Sequence, residues 1–302
     1  MTATEVVIAL DVGGTSMKCA LVDASGRVHH SLRRPTPRAA GPEASVAAIV
    51  DTVADLAAVP GFAPIAVGLV VPGVIDAERG VAVYSSNIGW RNVPFRELVE
   101  SKVGLPTALG HDVRAGGLAE ARLGGGRGSS QMLFVAIGTG IAGAHIVDGH
   151  TTAGAHGAAC ELGHLVVRPD GPQCGCGQRG CVESLASAVQ FERRFAEASG
   201  RELSAERIIA LIDDDPVAAR VWRDTVEVLA DGFLLGIAMF DPDTIVVGGG
   251  LAAAGDALLT PLRRGLTARA TFHTVPELVP AELGDSAGCI GAALLGIERI
   301  RR

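Results

Sequence analysis

A repeated pattern constrains the fold of this 302-residue chain more than any other feature of its sequence. The stretch DVGGTSMKCALVD (11–23) aligns with AIGTGIAGAHIVD (136–148) at a constant offset, so that Gly13 matches Gly138 and Asp23 matches Asp148. Each copy consists of two apolar runs around a glycine turn, which predicts two strands joined by a tight connection. Chance is the alternative, because such turns are common, but the register holds through both strands. We therefore expect two related halves.

The length of the chain and the alternation of its elements predict two α/β domains. About 150 residues per domain is typical, and apolar strands alternate here with helical patterns. We place the first domain at 1–117 and the second at 118–288, and we expect a helix at 289–302 to pack on the first domain. The glycine-rich run 124–128 is the best candidate for a linker.

Charge and hydropathy exclude two classes of partner. The net charge is −7 and no run of Lys or Arg is present, so a nucleic-acid partner is not expected. The strongly apolar run 233–240 is too short for a bilayer, which needs about 20 residues, and the N-terminus leads into a strand instead of a signal peptide. We expect a cytoplasmic protein without a membrane partner, in which structural disulfides are rare.

Three glycine turns follow apolar strands and can serve as phosphate-binding loops. They consist of Gly13, Gly14 and Thr15; Gly138, Thr139 and Gly140; and Gly248, Gly249 and Gly250. Each one alone also suits an ordinary turn, and none has the P-loop pattern. Glycine leaves backbone N–H groups open to a phosphate, and Asp11, just before the first turn, can hold a hydrated magnesium ion. Together the three loops favour a nucleotide bound between the domains.

Asp112 follows a strand and precedes a helix. It suits the N-cap position, for which Asp is a favoured residue. A carboxylate at the carboxyl end of a strand is also well placed to accept a proton from a hydroxyl group. The two roles are compatible.

The stretch QCGCGQRGC predicts a metal site, because Cys174, Cys176 and Cys181 lie within eight residues. Three unrelated thiols are the alternative, which their density disfavours. A structural zinc site needs four N or S ligands. The candidates for the fourth ligand are His164, Cys160, His156 and Cys289, of which His164 is nearest along the chain. A nucleic-acid-binding zinc ribbon is not expected, since it needs a second C-x-x-C pair and basic residues.

Polar residues flank this metal motif. Glu161, His164 and Glu183 bracket the glycine-rich loop. Exposed acidic residues are usually only solvated, but around a rigid loop they predict hydrogen bonds to a polyhydroxylated ligand.

Taken together, these motifs resemble the ROK family of sugar kinases and repressors, and the resemblance covers the whole chain. The pattern Asp11-x-Gly13-Gly14-Thr15-x-x-Lys18 is similar to the family's first phosphate motif, and Gly138-Thr139-Gly140 to its second. The turn 248–250 resembles the family's adenosine loop. The stretch ELGHLVVRPDGPQCGCGQRGCVE (161–183) is close to the family signature.

The resemblance implies an α/β fold of the actin/hexokinase type, in which two ribonuclease-H-like domains surround an interdomain cleft. It implies ATP, Mg²⁺ and a structural Zn²⁺ as cofactors, with Asp112 as the catalytic base. By similarity the zinc ligands would be His164, Cys174, Cys176 and Cys181. The sugar-binding residues would be Asn87, His111, Glu161, His164 and Glu183. We expect a homodimer or homotetramer that binds ATP and a hexose.

One departure from the family concerns the sugar. The usual Asn-Asp-Ala-Asn-Ala is here His111-Asp112-Val113-Arg114-Ala115, so that His111 replaces a sugar-binding Asn. The implied reaction is phosphorylation of a hexose at its 6-hydroxyl, and glucose is the expected substrate. Another hexose or an N-acetylated amino sugar is the alternative.

Three other functions compete with an ATP-dependent kinase. A sugar-sensing regulator would carry a DNA-binding segment before the core, and we expect none because the first strand begins by Val6. A sugar-binding protein without activity is disfavoured by the retention of Asp112. A polyphosphate-dependent glucokinase is disfavoured by the resemblance, because family members of that kind usually lack the cysteine motif and have a more basic cleft.

Overall fold

The computed structural model describes residues 3–301, which form two compact units. The first contains residues 3–119, 153–158 and 285–301, and the second contains residues 120–152 and 159–284. Met1, Thr2 and Arg302, which the predicted domain 1–117 and the predicted helix 289–302 include, lie outside the described residues. Within the described range no helix is both long enough and apolar enough to cross a membrane.

The first unit is built on a five-stranded sheet. Its elements in chain order are β1 (Thr4–Val12), β2 (Ser16–Val22), β3 (Val28–Pro35), α1 (Pro42–Ala57), β4 (Phe62–Val71), β5 (Val74–Asp76), β6 (Val81–Tyr84), β7 (Arg91–Val93), α2 (Phe95–Val103), β8 (Thr107–His111) and the start of α3 (Asp112–Leu123). The large sheet has the strand order β3-β2-β1-β4-β8, and β5, β6 and β7 form a smaller sheet. Within the large sheet, β1 pairs antiparallel with β2 and parallel with β4.

The second unit has a sheet with the same pattern. Its elements are β9 (Gln131–Ile137), β10 (Ile141–Val147), β11 (His150–Thr151), α4 (Val182–Ala186), α5 (Ala188–Ser199), α6 (Ala205–Ile209), α7 (Pro216–Phe240), β12 (Thr244–Gly248), α8 (Asp256–Arg269) and β13 (Glu277–Pro280). The strand order is β11-β10-β9-β12-β13, with the same sequence of antiparallel and parallel pairs as in the first unit. The two aligned stretches contain the end of β1 with β2 and the end of β9 with β10. The predicted pair of related halves is therefore confirmed at the level of topology.

The central strand β1 of the first unit is apolar from Val6 to Leu10, because both faces of its sheet are covered there. On one face of β1, Ile8 and Leu10 belong to the core that includes Ile49 of α1. On the other face, Val7 belongs to a core that includes Ala292 of the last helix, α9 (Ala287–Arg301). Helix α9 thus lies on the sheet of the first unit, and Gly68 of β4 permits this, because a Cβ there would lie 1.8 Å from the Ala292 carbonyl oxygen.

Some predicted boundaries differ from the structure. The segment 153–158 groups with the first unit, whereas the predicted second domain 118–288 included it. Helix α5 begins at Ala188, directly after α4, because Ser187 adopts an extended backbone and its side chain accepts a hydrogen bond from the Gln190 N–H.

The glycine run 124–128 is not a linker between the units. The boundary falls inside α3, between Ala119 and Glu120, and the run belongs to the second unit. There the N–H of Gly125 donates to Glu120 Oε2 at 3.0 Å. Glu120 is fully buried, and its carboxylate also accepts from the N–H groups of Glu282 (3.0 Å) and Leu283 (2.9 Å). The glycines let the chain fold closely around this carboxylate.

We predict that Glu120→Gln lowers the free energy of unfolding of the protein by about 2 kcal/mol, because an amide NH₂ would face backbone donors in place of a carboxylate oxygen. Chemical denaturation followed by circular dichroism measures the change. Glu197→Gln is the matched control, since Glu197 forms an exposed pair with Arg193 and should change stability by less than about 0.5 kcal/mol. Equal effects of the two substitutions would contradict the role assigned to Glu120.

Candidate functional site

The first glycine turn is a fixed loop between β1 and β2. The Gly13 N–H donates to the Ser16 carbonyl at 2.9 Å. Thr36, which is buried just after β3, braces the turn from the side: its N–H donates to the Thr15 carbonyl at 3.0 Å and its hydroxyl to the Gly13 carbonyl at 2.7 Å. Sequence reasoning missed Thr36, because a single threonine after a strand carries no signal of its own.

Asp11 lies at the end of β1 with one close cation. Lys18 Nζ is 3.7 Å from Asp11 Oδ2 and 3.2 Å from Asp285 Oδ1. The pKa of Asp11 is raised to about 6, mainly by burial and then by the charge of Asp112, while the charge of Lys18 acts in the opposite direction. Gly288 leaves room for this carboxylate, because a Cβ there would be 2.3 Å from Asp11 Oδ2. The negative charges of Asp11 and Asp112 repel each other, and a divalent cation bound between or beside them would relieve this repulsion.

Asp112 is the first residue of α3, directly after β8. Its Oδ1 accepts from the Val113 N–H at 2.7 Å and lies 3.2 Å from Nδ1 of His111. Burial raises the pKa of Asp112, while the Val113 N–H and the charges of Arg114 and Lys18 act in the opposite direction. A carboxyl group with a raised pKa is a better proton acceptor than an ordinary aspartate.

The structure places the two other predicted sugar-binding residues of the first unit in different surroundings. The side chain of His111 is 10% exposed at the end of β8. Asn87 is exposed in the loop between β6 and β7, and its Cβ would be 3.8 Å from a Cβ placed on Gly14. Asn87 therefore lies beside the first glycine turn.

The second and third glycine turns are neighbours in the second unit. They follow β9 and β12, which pair in parallel, and a Cβ on Gly138 would lie 4.0 Å from the Gly250 nitrogen. Gly249 has a φ of +83°, and its Cβ would meet the backbone of Ile137 at 2.5 Å. Only glycine fits there. The backbone of both turns is thus brought together at one edge of the sheet, as expected for the carboxyl ends of parallel strands.

The family-signature stretch packs against the start of β10. Glu183 Oε2 accepts from the Ile141 N–H at 2.8 Å, and a Cβ on Gly140 would be only 2.5 Å from that oxygen. The short helical turn Leu162–His164 rests on the same residue, because a Cβ on Gly163 would be 2.0 Å from the Ile141 carbonyl oxygen. Glu183 therefore braces the second glycine turn, a role that the sequence did not predict, and this role uses one of its two oxygens.

Glu161 comes immediately before that turn. Its side chain is half-buried, and its carbonyl accepts from the His164 N–H at 3.0 Å. The backbone therefore fixes the spacing between these two predicted sugar-binding residues.

Four side chains form a cluster that fits a zinc ion. The ligand atoms of His164, Cys174, Cys176 and Cys181 all lie within 4.8 Å of one another. Cys174 Sγ is 3.6 Å from His164 Nδ1, and the Sγ atoms of Cys176 and Cys181 are 3.7 Å apart. Tetrahedral zinc with thiolate and imidazole ligands places its ligand atoms about 3.5–3.8 Å apart. Of the four candidates for the fourth ligand, the cluster contains His164.

The local backbone explains why the cysteines converge. The Cys174 N–H donates to the Gln178 carbonyl at 2.8 Å, which closes a tight turn. Gly180 has a φ of +71°, and its Cβ would be 1.4 Å from the Arg168 carbonyl oxygen, so a side chain cannot fit there. Burial raises the pKa of the Cys174 and Cys181 thiols. A bound cation would therefore be needed to keep them as thiolates at neutral pH.

Comparison with known proteins identifies the family. The family model described as ROK matches residues 7–299. Glucokinase from Streptomyces coelicolor is 35% identical over 96% of this chain and 97% of its own length. A ROK family glucokinase from Streptomyces griseus, solved in complex with glucose and AMPPNP, superposes with a TM-score of 0.85 at 31% identity over 97% of this chain and 99% of that one.

A ROK hexokinase from Thermus thermophilus superposes with a TM-score of 0.82 at 34% identity, over 98% of this chain and 99% of that one. The expected α/β fold of the actin/hexokinase type is thereby confirmed. The chain belongs to the ROK family.

Proposed function

We propose that this sugar kinase transfers the γ-phosphoryl group of ATP to the 6-hydroxyl of glucose. The observation that carries the proposal is the near full-length similarity, at 31–35% identity, to proteins named glucokinase, one of them solved with glucose and an ATP analogue. The half-buried carboxylate of Asp112, directly after β8, supports it, since this reaction needs a proton acceptor at the attacking hydroxyl.

Asp112 would orient that hydroxyl and take its proton. Phosphoryl transfer proceeds through a loose transition state, so that positioning and charge neutralisation provide most of the rate. The raised pKa of Asp112 makes it a stronger base than a surface carboxylate, and the Val113 N–H fixes the orientation of its Oδ1.

The three glycine turns would bind the nucleotide. Backbone N–H groups of the turns at 13–15 and 138–140 would face the phosphates, and the turn at 248–250 would lie against the adenosine. Mg²⁺, when bound, supplies positive charge to the transferred phosphoryl group. Asp11 would hold the hydrated ion, and Lys18 would bind a phosphate oxygen.

The sugar would be bound by Asn87, His111, Glu161, His164 and Glu183. The cluster of His164, Cys174, Cys176 and Cys181 would hold a structural Zn²⁺ ion. Nδ1 of His164 faces the thiols, which leaves Nε2 for a sugar hydroxyl in one fixed orientation. A loop ordered before the sugar arrives also lowers the entropic cost of binding.

We further propose that the protein is cytoplasmic and acts as a homodimer or homotetramer without nucleic-acid or membrane partners. Its net charge of −7 supports the exclusion of nucleic acid.

A coupled ADP-release assay over glucose, mannose, allose and N-acetylated amino sugars tests the proposed function. Glucose should give the highest kcat/KM if the assignment is correct. Binding of a sugar without ADP release would instead indicate a regulator, and a higher value for another sugar would reassign the substrate.

We predict that Asp112→Asn lowers kcat by several orders of magnitude and leaves glucose affinity nearly unchanged, because the amide keeps the shape of the side chain but cannot accept the proton. Steady-state kinetics and calorimetric glucose binding measure the two effects. Asp213→Asn, at an exposed position, is the control and should behave like the wild type. A variant at position 112 that retains more than a tenth of the wild-type kcat would exclude Asp112 as the base.

We predict that His111→Asn changes kcat/KM unequally for glucose, mannose and allose. An imidazole reaches farther than a carboxamide and, when neutral, offers one donor and one acceptor. The sugars differ in the orientation of single hydroxyl groups. If His111 contacts one of these groups, the substitution should change the ratio of kcat/KM values between the sugars. The same factor for all three sugars would show that His111 does not contact the epimeric hydroxyls.

A further inference from the structure

Arg114 is a buried cation at the N-terminus of a helix, where both the burial and the helix dipole disfavour positive charge. It is the third residue of α3, two positions after Asp112, and only 7% of its surface is exposed. The first turn of a helix carries partial positive charge from its free N–H groups, and burial of a cation adds a desolvation cost. A residue that breaks local rules of this kind is expected where function requires it.

The guanidinium group of Arg114 holds a distant part of the chain. Its Nη1 donates to the Gly157 carbonyl at 2.9 Å. Gly157 has a φ of +72°, and a Cβ there would be 3.0 Å from the Ile75 carbonyl oxygen. Gly157 is thus enclosed between the start of α3 and strand β5, in a conformation that favours glycine.

Gly157 belongs to a segment with an unusual position in the chain. Residues 153–158 belong to the first unit, whereas the chain on both sides, up to Thr152 and from Ala159, belongs to the second. Three residues after this segment comes Glu161, one of the proposed sugar-binding residues. The contact with Arg114 therefore fixes the chain shortly before Glu161.

Position 114 also departs from the family's sequence pattern. Arg114 stands where the family pattern described above has its second Asn, whose side chain is much shorter than that of arginine. The charge of Arg114 also lowers the pKa of the neighbouring Asp112 and so opposes the effect of burial.

We propose that Arg114 is a positioning residue for sugar binding: its guanidinium holds the Gly157 carbonyl, and with it segment 153–158, beside the turn of α3 that carries Asp112. The predicted change in glucose KM rests on the proposed function, because it requires that the protein phosphorylates glucose. The competing explanation is that Arg114 only stabilises the first unit.

Three variants separate these explanations. Arg114→Met removes both the charge and the donors but keeps an unbranched side chain, and Arg114→Lys keeps the charge and N–H donors without the planar guanidinium group. Arg122→Gln is the matched control, because Arg122 lies on the same helix and its Nη2 likewise donates to a glycine carbonyl, that of Gly149, at 2.9 Å. The measurements are the KM values for glucose and ATP, kcat, the melting temperature, and amide hydrogen exchange in segment 153–158.

We expect Arg114→Met to accelerate amide exchange in segment 153–158 and to raise the glucose KM about tenfold, with the ATP KM near its original value. Arg114→Lys should show a smaller effect of the same kind, and Arg122→Gln should change neither quantity. If Arg114→Met does not fold, Arg114→Lys carries the test, with faster exchange and a glucose KM raised about threefold.

Two results would overturn the proposal. The first is a glucose KM and an exchange rate in the Arg114 variants equal to those of Arg122→Gln. The second is a parallel rise of both KM values with a fall in melting temperature, which a purely stabilising residue would produce. If the wild type phosphorylates no sugar, the proposed function fails instead, and the exchange measurement still decides whether Arg114 anchors the segment.

Discussion

The convergence of three thiols and one imidazole on a common centre is the constraint on which the loop 161–183 depends. His164 belongs to this cluster, and the turn that carries it rests on Ile141. Ile141 also donates its N–H to Glu183, whose carboxylate lies tightly against Gly140. The cluster of His164 with the three cysteines, the proposed sugar-binding residues of the second unit and a proposed phosphate-binding turn are therefore connected through the first residue of β10. A change in the cluster would be transmitted to the orientation of these groups.

The two units use the same sheet order for different chemistry. In the first, two half-buried carboxylates with raised pKa values, Asp11 and Asp112, lie at the strand ends, which suits cation binding and proton transfer. In the second, the glycine turns 138–140 and 248–250 follow the parallel strands β9 and β12, and the proposed sugar-binding side chains come from the loop 161–183. Glycine appears wherever a backbone must approach another closely, as Gly249 does at Ile137. The same topology thus occurs in both units, and the loops at the strand ends differ.

The sequence predicted the parts of the molecule that repeat or carry dense patterns. The aligned stretches indicated both β-hairpins, and the cysteine spacing indicated three members of the metal cluster. Interactions between distant residues left no such signal: the bracing of the first turn by Thr36 and the burial of Glu120 among backbone donors depend on tertiary contacts. The glycine run 124–128 was interpreted as a linker because glycine permits both flexibility and close packing, and composition alone does not distinguish the two. The grouping of segment 153–158 with the first unit likewise depends on tertiary contacts and could not be predicted from the sequence.

The central claim is that the metal cluster orients His164 and Glu161 for the sugar. The most direct test measures the KM values for glucose and ATP while a mild chelator removes zinc, with the metal content determined on the same samples. The account predicts about one zinc per chain at the start and a sharp rise in the glucose KM as zinc is lost, with the ATP KM near its original value. Full activity at much less than one zinc per chain would contradict it, as would a parallel loss of sugar binding, ATP binding and global stability.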